Sequence, residues 1–147
     1  SWGRWLLPES ARGPVSSMFP GVIFHDYHKK EALYNDYLHQ VERQRQRGWQ
    51  VQKGWLTDPL ANQPVRFRVA VQTRDGQPLT GATVAGQFLR SSSSKLDVGF
   101  NLPERDPGVY EAEVKLPLPG AWNLVLQIRK GEDLHEIQAN TTVNAGH

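Results

Sequence analysis

The longest helical pattern in the chain lies in residues 19–50, which read FPGVIFHDYHKKEALYNDYLHQVERQRQRGWQ. After an apolar start, Asp26 can cap a helix by accepting a hydrogen bond from a free amide of the first turn. Arginines crowd the last turn, where positive charge suits the helix dipole, and Gly48 is a natural stop. The sequence therefore predicts a helix over 26–47. Its apolar stripe comprises Tyr27, Tyr34, Leu38 and Val41.

After Gly48 the apolar pattern has a period of two, which is typical of β-strands with one buried face. The clearest strand is 65–71, where valines and Phe67 alternate with residues such as Arg66 and Arg68. Similar segments recur at regular spacing up to residue 143 and are separated by Gly/Pro-rich turns. We predict a mainly β fold, with the N-terminal helix followed by an immunoglobulin-like antiparallel β-sandwich of about seven strands over 49–143. A bulge at Gly86 and a central core position for Trp122 are also expected.

Length and composition limit the classes of function that the chain can have. The 147 residues suffice for one domain with a real core, which we place at 19–147, and residues 1–18 resemble a linker or an artificial tail. The net charge of +2 is too small to predict nucleic-acid binding. The absence of Cys excludes disulfides, thiolate metal sites and Cys nucleophiles. No apolar run approaches the ~20 residues that span a bilayer, and because the chain starts at Ser1 we expect a targeting or anchoring segment to have been removed.

Two histidines form the best metal-site pattern. His25 and His28 are three residues apart, so on a helix they would share one face and could together bind Cu(II), Zn or Ni. A closed site needs about four ligands, and the sequence adds only Asp26 or Glu31 nearby. The alternative is a pair of solvated histidines, and we expect no resident cofactor.

Interaction residues are more plausible than catalytic ones. The helical carboxylates are not paired across a cleft, and no G-x-S-x-G, P-loop or H-E-x-x-H motif occurs, so we predict no enzymatic activity. The basic side chains form either a solvated face or an interaction surface for an acidic protein or lipid headgroup. They are Arg43, Arg45, Arg47, Lys53, Arg66 and Arg68. The partner-binding candidates are Tyr27, Tyr34, Arg43 and Arg47. We expect Tyr34 and Tyr37, together with Trp49 and Trp55, to pack the helix against the sheet.

Several segments together resemble the FixH family, also called CcoH. FPGVIF, Asp26-Tyr27, Asn35 and the Arg47-Gly48-Trp49 junction follow the order of the family's N-terminal region. DGQPLTGATVAGQF at 75–88 and DPGVYEAEVKLPLPGAWNLVLQIRKG at 106–131 are similar to its later stretches. The resemblance covers about residues 19–143. It departs from the family in lacking the preceding membrane helix and in carrying His25 and His28, so it assigns no metal role there.

The resemblance implies a membrane-tethered domain on the periplasmic face of the inner membrane. Its role would be the maturation of a cbb3-type haem–copper cytochrome oxidase, with oxidase subunits or a copper-exporting ATPase as partners and the tether absent from this chain. It implies no catalytic residues. Two other functions stay open: a periplasmic copper metallochaperone that uses His25 and His28, and a sandwich that binds carbohydrate or peptide through exposed aromatics such as Trp2, Trp5 or Trp55.

Overall fold

In the part of the chain that the structure describes, one helix, α1 (Tyr27–Arg47), precedes the β-strands, as the sequence predicts. The structure, a computed structural model, describes residues 27–90 and 93–145, with side chains from 36 to 90 and from 95 to 145. The helix ends where Gly48, at φ 74°, donates its N–H to the carbonyl of Gln44. This left-handed conformation suits glycine and stops the helix. The predicted cap Asp26 and the apolar segment 19–24 lie outside the described residues.

The rest of the described chain forms two antiparallel four-stranded sheets. Their strands are β1 (Gln50–Trp55), β2 (Pro64–Gln72), β3 (Thr83–Arg90), β4 (Ser93–Leu102), β5 (Glu104–Asp106), β6 (Val109–Lys115), β7 (Gly120–Lys130) and β8 (Asp133–Val143). The first sheet has the order β1-β2-β6-β5, and the second has the order β4-β3-β7-β8. The predicted immunoglobulin-like sandwich is confirmed. The prediction of about seven strands missed β5, which is only three residues long and lies in a segment whose Pro and Gly indicate a turn.

The core lies between the two sheets and is centred on aromatic side chains. Trp122 is only 1% exposed, which confirms its predicted position. Phe67 and Phe88 meet edge-to-face with ring centroids 5.7 Å apart, and Trp55 stacks on Phe88 at 5.3 Å. Large aromatics bury much apolar area per residue, so they can fill the centre of a sandwich that has no disulfide.

Gly86 is required for a different reason from the one predicted. The register between β3 and β4 shifts between Phe88 and Arg90, so the irregularity does not lie at Gly86. A Cβ at position 86 would lie 2.7 Å from Cζ of Phe100 and 2.8 Å from the carbonyl oxygen of Val125. Glycine therefore makes room for the Phe100 ring, which packs against the core.

One motif that carries the family resemblance stabilises a loop. The hydroxyl of Tyr110, in DPGVY, donates to the carbonyl of Leu79 at 2.6 Å and accepts the N–H of Ala82 at 3.0 Å. Leu79 and Ala82 both belong to the other similar stretch, DGQPLTGATVAGQF at 75–88. Burying a hydroxyl without a hydrogen bond would destabilise the folded state. The Tyr110 motif therefore depends on the backbone groups of the other motif. The residues of these two motifs therefore stabilise the fold.

Candidate partner-binding surface

Helix α1 is attached to the sandwich by a polar face, which meets the outer edge of β8. The side-chain amide of Gln44 donates to the carbonyl of Glu136 at 2.9 Å and accepts the Glu136 N–H at 2.8 Å. This pair of bonds reproduces what a neighbouring strand would make. Gln40 and Arg47 both donate to the carbonyl of Leu134, Arg47 at 3.0 Å. Residues 40, 44 and 47 are spaced by four and three, so they share one helical face.

Arg47 serves mainly as an attachment residue. Besides its bond to Leu134, its Nε lies 3.6 Å from Oδ1 of Asp133. Its guanidinium carbon is 4.9 Å from the centroid of the Trp49 ring, a cation–π geometry. The side chain is 16% exposed, much less than the 72% of Arg45 on the outer side of the helix. The helix–sandwich contact thus engages this predicted partner-binding residue.

His135 is buried on the inner face of β8. The Trp49 ring stacks on it with centroids 6.0 Å apart, and its Nδ1 has no hydrogen-bond partner. Burial lowers the pKa of His135 to about 4, and the positive charges of Arg47 and Lys53 act in the same direction. The imidazole is therefore neutral at physiological pH, which allows it to pack against Trp49 as an aromatic ring.

Glu136 points to the opposite face of β8. Its Oε1 accepts a 3.3 Å bond from Gln127, and its Oε2 is buried without a hydrogen-bond partner. Burial raises the pKa of Glu136 to about 7, although the Gln127 bond and the charge of Arg129 act to lower it. A carboxyl group that ionises near neutral pH therefore lies directly beside the Gln44 contact.

A second carboxylate, Glu111, is held on the outer face of the first sheet. Arg66 donates to its Oε1 at 2.8 Å and Arg68 to its Oε2 at 2.7 Å. Burial by itself would raise the pKa of Glu111, but the bonds from the two arginines lower it below its ordinary value. Two of the basic residues that the sequence presents as a possible interaction patch are thus partly neutralised by Glu111.

The apolar stripe of α1 faces away from the sandwich along its described part. Leu38 and Val41 are each 41% exposed, and with Leu118 they are the large hydrophobic side chains that the described part of the chain exposes. The expectation that Trp55 packs under the helix is wrong. Trp55 lies in the core, where its Nε1 donates to Oγ1 of Thr141 at 2.9 Å. The burial of Trp55 also removes it as an exposed aromatic for carbohydrate binding.

The other predicted site residues have varied positions. His25 lies outside the described residues, and so do Trp2 and Trp5, whereas His28 belongs to α1 but its side chain is outside the described ones. Tyr27 and Tyr34 belong to α1, but their side chains are outside the described ones. Arg43 is exposed on the helix, as a partner-binding residue must be. The metal and partner assignments stay predictions. Within 27–90 and 93–145, no group of three or more His, Cys, Asp or Glu could hold a metal ion.

The attachment residues Gln40 and Gln44 were missed by the sequence analysis. Glutamine is an ordinary residue of exposed helix faces, so neither position drew attention. The only available signal was their spacing of four, with Arg47 three residues further on. That spacing defines a polar face but does not say what it contacts.

The fold and this surface together define an immunoglobulin-like sandwich that carries a helix with an outward apolar stripe. In the part of the chain that the structure describes, no helix is long and apolar enough to cross a membrane. The chain belongs to the FixH family, whose sequence model matches residues 15–141. No curated protein matches the chain.

Solved structures show only remote likeness. An endo-β-1,4-mannanase from Thermotoga petrophila is 12% identical with a TM-score of 0.47, over 84% of this chain and 26% of that one. An engineered protein is 14% identical with a TM-score of 0.47, over 67% of this chain and 20% of that one. The CARDB domain of a Pyrococcus furiosus protein, solved in complex with di-metal ions, is 11% identical with a TM-score of 0.37, over 67% and 87%. The chain thus spans about a quarter or less of the first two structures.

Proposed function

We propose that this chain is a non-enzymatic accessory factor in the assembly or maturation of a cbb3-type haem–copper cytochrome oxidase. It would act as a membrane-tethered domain on the periplasmic face of the inner membrane and bind partner subunits through α1. Membership of the FixH family over residues 15–141 supports this role. The observation that carries the binding surface is the exposure of Leu38 and Val41 on a helix whose polar face is the attached one.

The attachment of α1 explains why the stripe stays available. Rotating Leu38 and Val41 onto the sandwich would break the Gln44 pair with Glu136 and the bonds to Leu134. Burying the exposed parts of these two side chains on a partner would contribute about 1 kcal/mol each. That is too little for a stable complex, so further contacts must contribute.

The test uses the full-length protein, expressed in cells that lack their own copy. The double variant Leu38→Lys, Val41→Lys places two charges on the exposed stripe without touching the core. The expected result is at least a tenfold loss of assembled cbb3-type oxidase, measured by haem spectra and oxidase activity of membranes. His39→Lys, an exposed position beside the stripe, is the matched control and should leave the oxidase level unchanged.

Normal oxidase maturation in the double variant would contradict the assignment of the binding surface to α1. If the double variant matures oxidase normally while Arg66→Glu on the outer face of the first sheet abolishes it, the sheet and not the helix binds the partner. Thermal unfolding of the purified variants provides the check on folding. A loss of oxidase counts only for variants whose Tm lies within about 4 °C of the wild type, which corresponds to about 1 kcal/mol.

A further inference from the structure

The contact between α1 and β8 is made through polar side chains that bond the strand backbone. Gln44 bonds both the N–H and the carbonyl of Glu136, and Gln40 donates to the carbonyl of Leu134. The apolar stripe of the helix faces away from this contact. An element with few buried apolar contacts opens at a lower free energy than the core. The attachment of α1 is therefore sensitive to small changes in the groups beside it.

The Glu136 side chain is a poorly satisfied polar group at this contact. Its Oε2 is buried without a hydrogen-bond partner, and its Oε1 receives a bond of 3.3 Å from Gln127. A buried carboxylate needs hydrogen-bond donors, whereas a neutral carboxyl group loses less free energy on burial. The helix bonds the backbone of this same residue, and a helix about 10 Å wide limits the access of water there. The attached helix therefore favours the neutral form of Glu136.

The charged groups around Glu136 belong to three elements. On β7, Arg129 favours the ionised carboxylate, but burial outweighs it and raises the pKa of Glu136 to about 7. On α1, Arg47 lies beside the exposed Asp133 of β8. His135 points to the opposite face of β8, where burial lowers its pKa to about 4. The other charged or imidazole side chains described on α1 are exposed: Asp36, His39, Glu42, Arg43 and Arg45.

We propose that the neutral Glu136 carboxyl holds α1 against β8 and that its ionisation loosens the helix, so that pH controls the surface that α1 presents. The carboxylate is better solvated when the helix has left the strand, which shifts the equilibrium toward the loosened state. Because the attached state raises the pKa of Glu136 from 4.5 to about 7, the attachment is strongest below about pH 4.5 and weakens as the pH rises through 7. The consequence for partner binding rests on the proposed function, whereas the loosening itself does not.

Amide hydrogen exchange of the free chain at pH 6 and pH 8 tests the loosening. After correction for the intrinsic exchange rate, the protection of the α1 amides in wild type should fall by about three- to tenfold between the two pH values. In Glu136→Gln, which keeps every other titrating group, the protection should not change. Glu132→Gln, in the exposed turn between β7 and β8, is the matched control and should behave as the wild type does.

Two results of this measurement would overturn the proposal. One is equal protection of the wild-type α1 amides at pH 6 and pH 8. The other is a fall of the same size in Glu136→Gln, which would assign the pH effect to another group, such as His39 on the exposed side of the helix.

The titration of Glu136 itself provides a second, independent measurement. If ionisation loosens α1, then weakening the attachment of α1 must lower the pKa of Glu136, because coupling is reciprocal. Gln40→Ala, Gln44→Ala removes the amides that bond Leu134 and Glu136. In this variant the titration, followed by the ¹³C shift of the carboxyl, should move toward acid by at least about 0.5 pH unit. Gln46→Ala, an exposed position of the same helix, should leave it in place, and an unchanged titration in the double variant would refute the coupling.

The oxidase assay of the Leu38→Lys, Val41→Lys variant does not involve Glu136, so the two proposals can fail separately. Loss of oxidase in that variant, with α1 exchange that does not depend on pH in wild type, would refute the role of Glu136 and keep the proposed function. Normal oxidase maturation with pH-dependent α1 exchange would keep the role of Glu136 and refute the binding surface.

Discussion

Replacing Glu136 by glutamine should stabilise the chain above neutral pH and leave it unchanged in mild acid. The carboxyl lies half-buried beside the contact between α1 and β8, and its Oε2 has no hydrogen-bond partner. Burial raises the pKa of Glu136 from 4.5 to about 7. Because this pKa is raised in the folded state, the stability linked to the neutral carboxyl is full below about pH 4.5 and is lost as the pH rises through 7.

The size of the effect follows from the displacement of the pKa. At about 1.4 kcal/mol for each pH unit, the rise of the Glu136 pKa from 4.5 to about 7 corresponds to about 3 kcal/mol for a fully buried group. Partial contact of Glu136 with solvent reduces this to about 1–2 kcal/mol. Glutamine has nearly the same shape and can still accept the bond from Gln127, and Gln44 bonds only the backbone at this position. The substitution therefore removes the ionisation and keeps the packing.

Urea unfolding, followed by Trp fluorescence between pH 4.5 and 8.5, measures the prediction. Glu136→Gln should match the wild type within about 0.5 kcal/mol at pH 4.5 and exceed its free energy of unfolding by about 1–2 kcal/mol at pH 8. Glu132→Gln, in the exposed turn between β7 and β8, controls for the loss of one negative charge. A difference between Glu136→Gln and wild type that does not change with pH would refute the reasoning.

Three other predictions concern side chains with defined partners. Tyr110→Phe should lower the free energy of unfolding by about 1–3 kcal/mol, because the Leu79 carbonyl and Ala82 N–H lose their partner; urea unfolding measures it, and an unchanged midpoint would contradict it. Gln44→Ala should speed amide exchange in α1 while the core strands stay protected. Equal exchange of the α1 amides in Gln44→Ala and wild type would show that the Glu136 pair does not hold the helix. Burial lowers the pKa of His135 to about 4, so its stabilising effect is full above pH 6.5 and lost as the pH falls through 4. His135→Leu should therefore gain up to about 3 kcal/mol relative to wild type between pH 7 and pH 4, measured by urea unfolding, and no gain would place the imidazole in contact with water.

The sandwich could be predicted from the sequence because each of its strands obeys a local rule. In β2, inward valines and Phe67 alternate with outward arginines, and the pattern alone gives both the strand and its buried face. β5 could not be found in this way, since a three-residue edge strand whose residues are all exposed has no apolar pattern. The role of Gly86 also needed the structure, because Phe100 approaches it from another strand.

The orientation of the helix could not be predicted because hydrophobic pattern and hydrogen bonding favour different faces. The apolar stripe with Leu38 and Val41 is the face that a pattern argument would bury. The open edge of β8 offers unpaired backbone groups instead, and Gln44 satisfies two of them. An unpaired backbone group away from water costs about as much as a lost hydrogen bond, so the polar face can win this contact. Only the three-dimensional position of β8 reveals this competition.

The junction at Gly48 has a mechanical consequence. A single residue separates the last helical residue, Arg47, from Trp49, which is stacked on His135 and lies under the Arg47 guanidinium. At about 1.5 Å per residue, α1 is a rod of about 30 Å. A pull on its far end along the axis would load the bonds to Leu134 and Glu136 together, in shear, and would transmit tension to the hairpin of β7 and β8. Because only Gly48 separates the helix from the packed Trp49, a displacement of α1 would be transmitted directly to the sandwich.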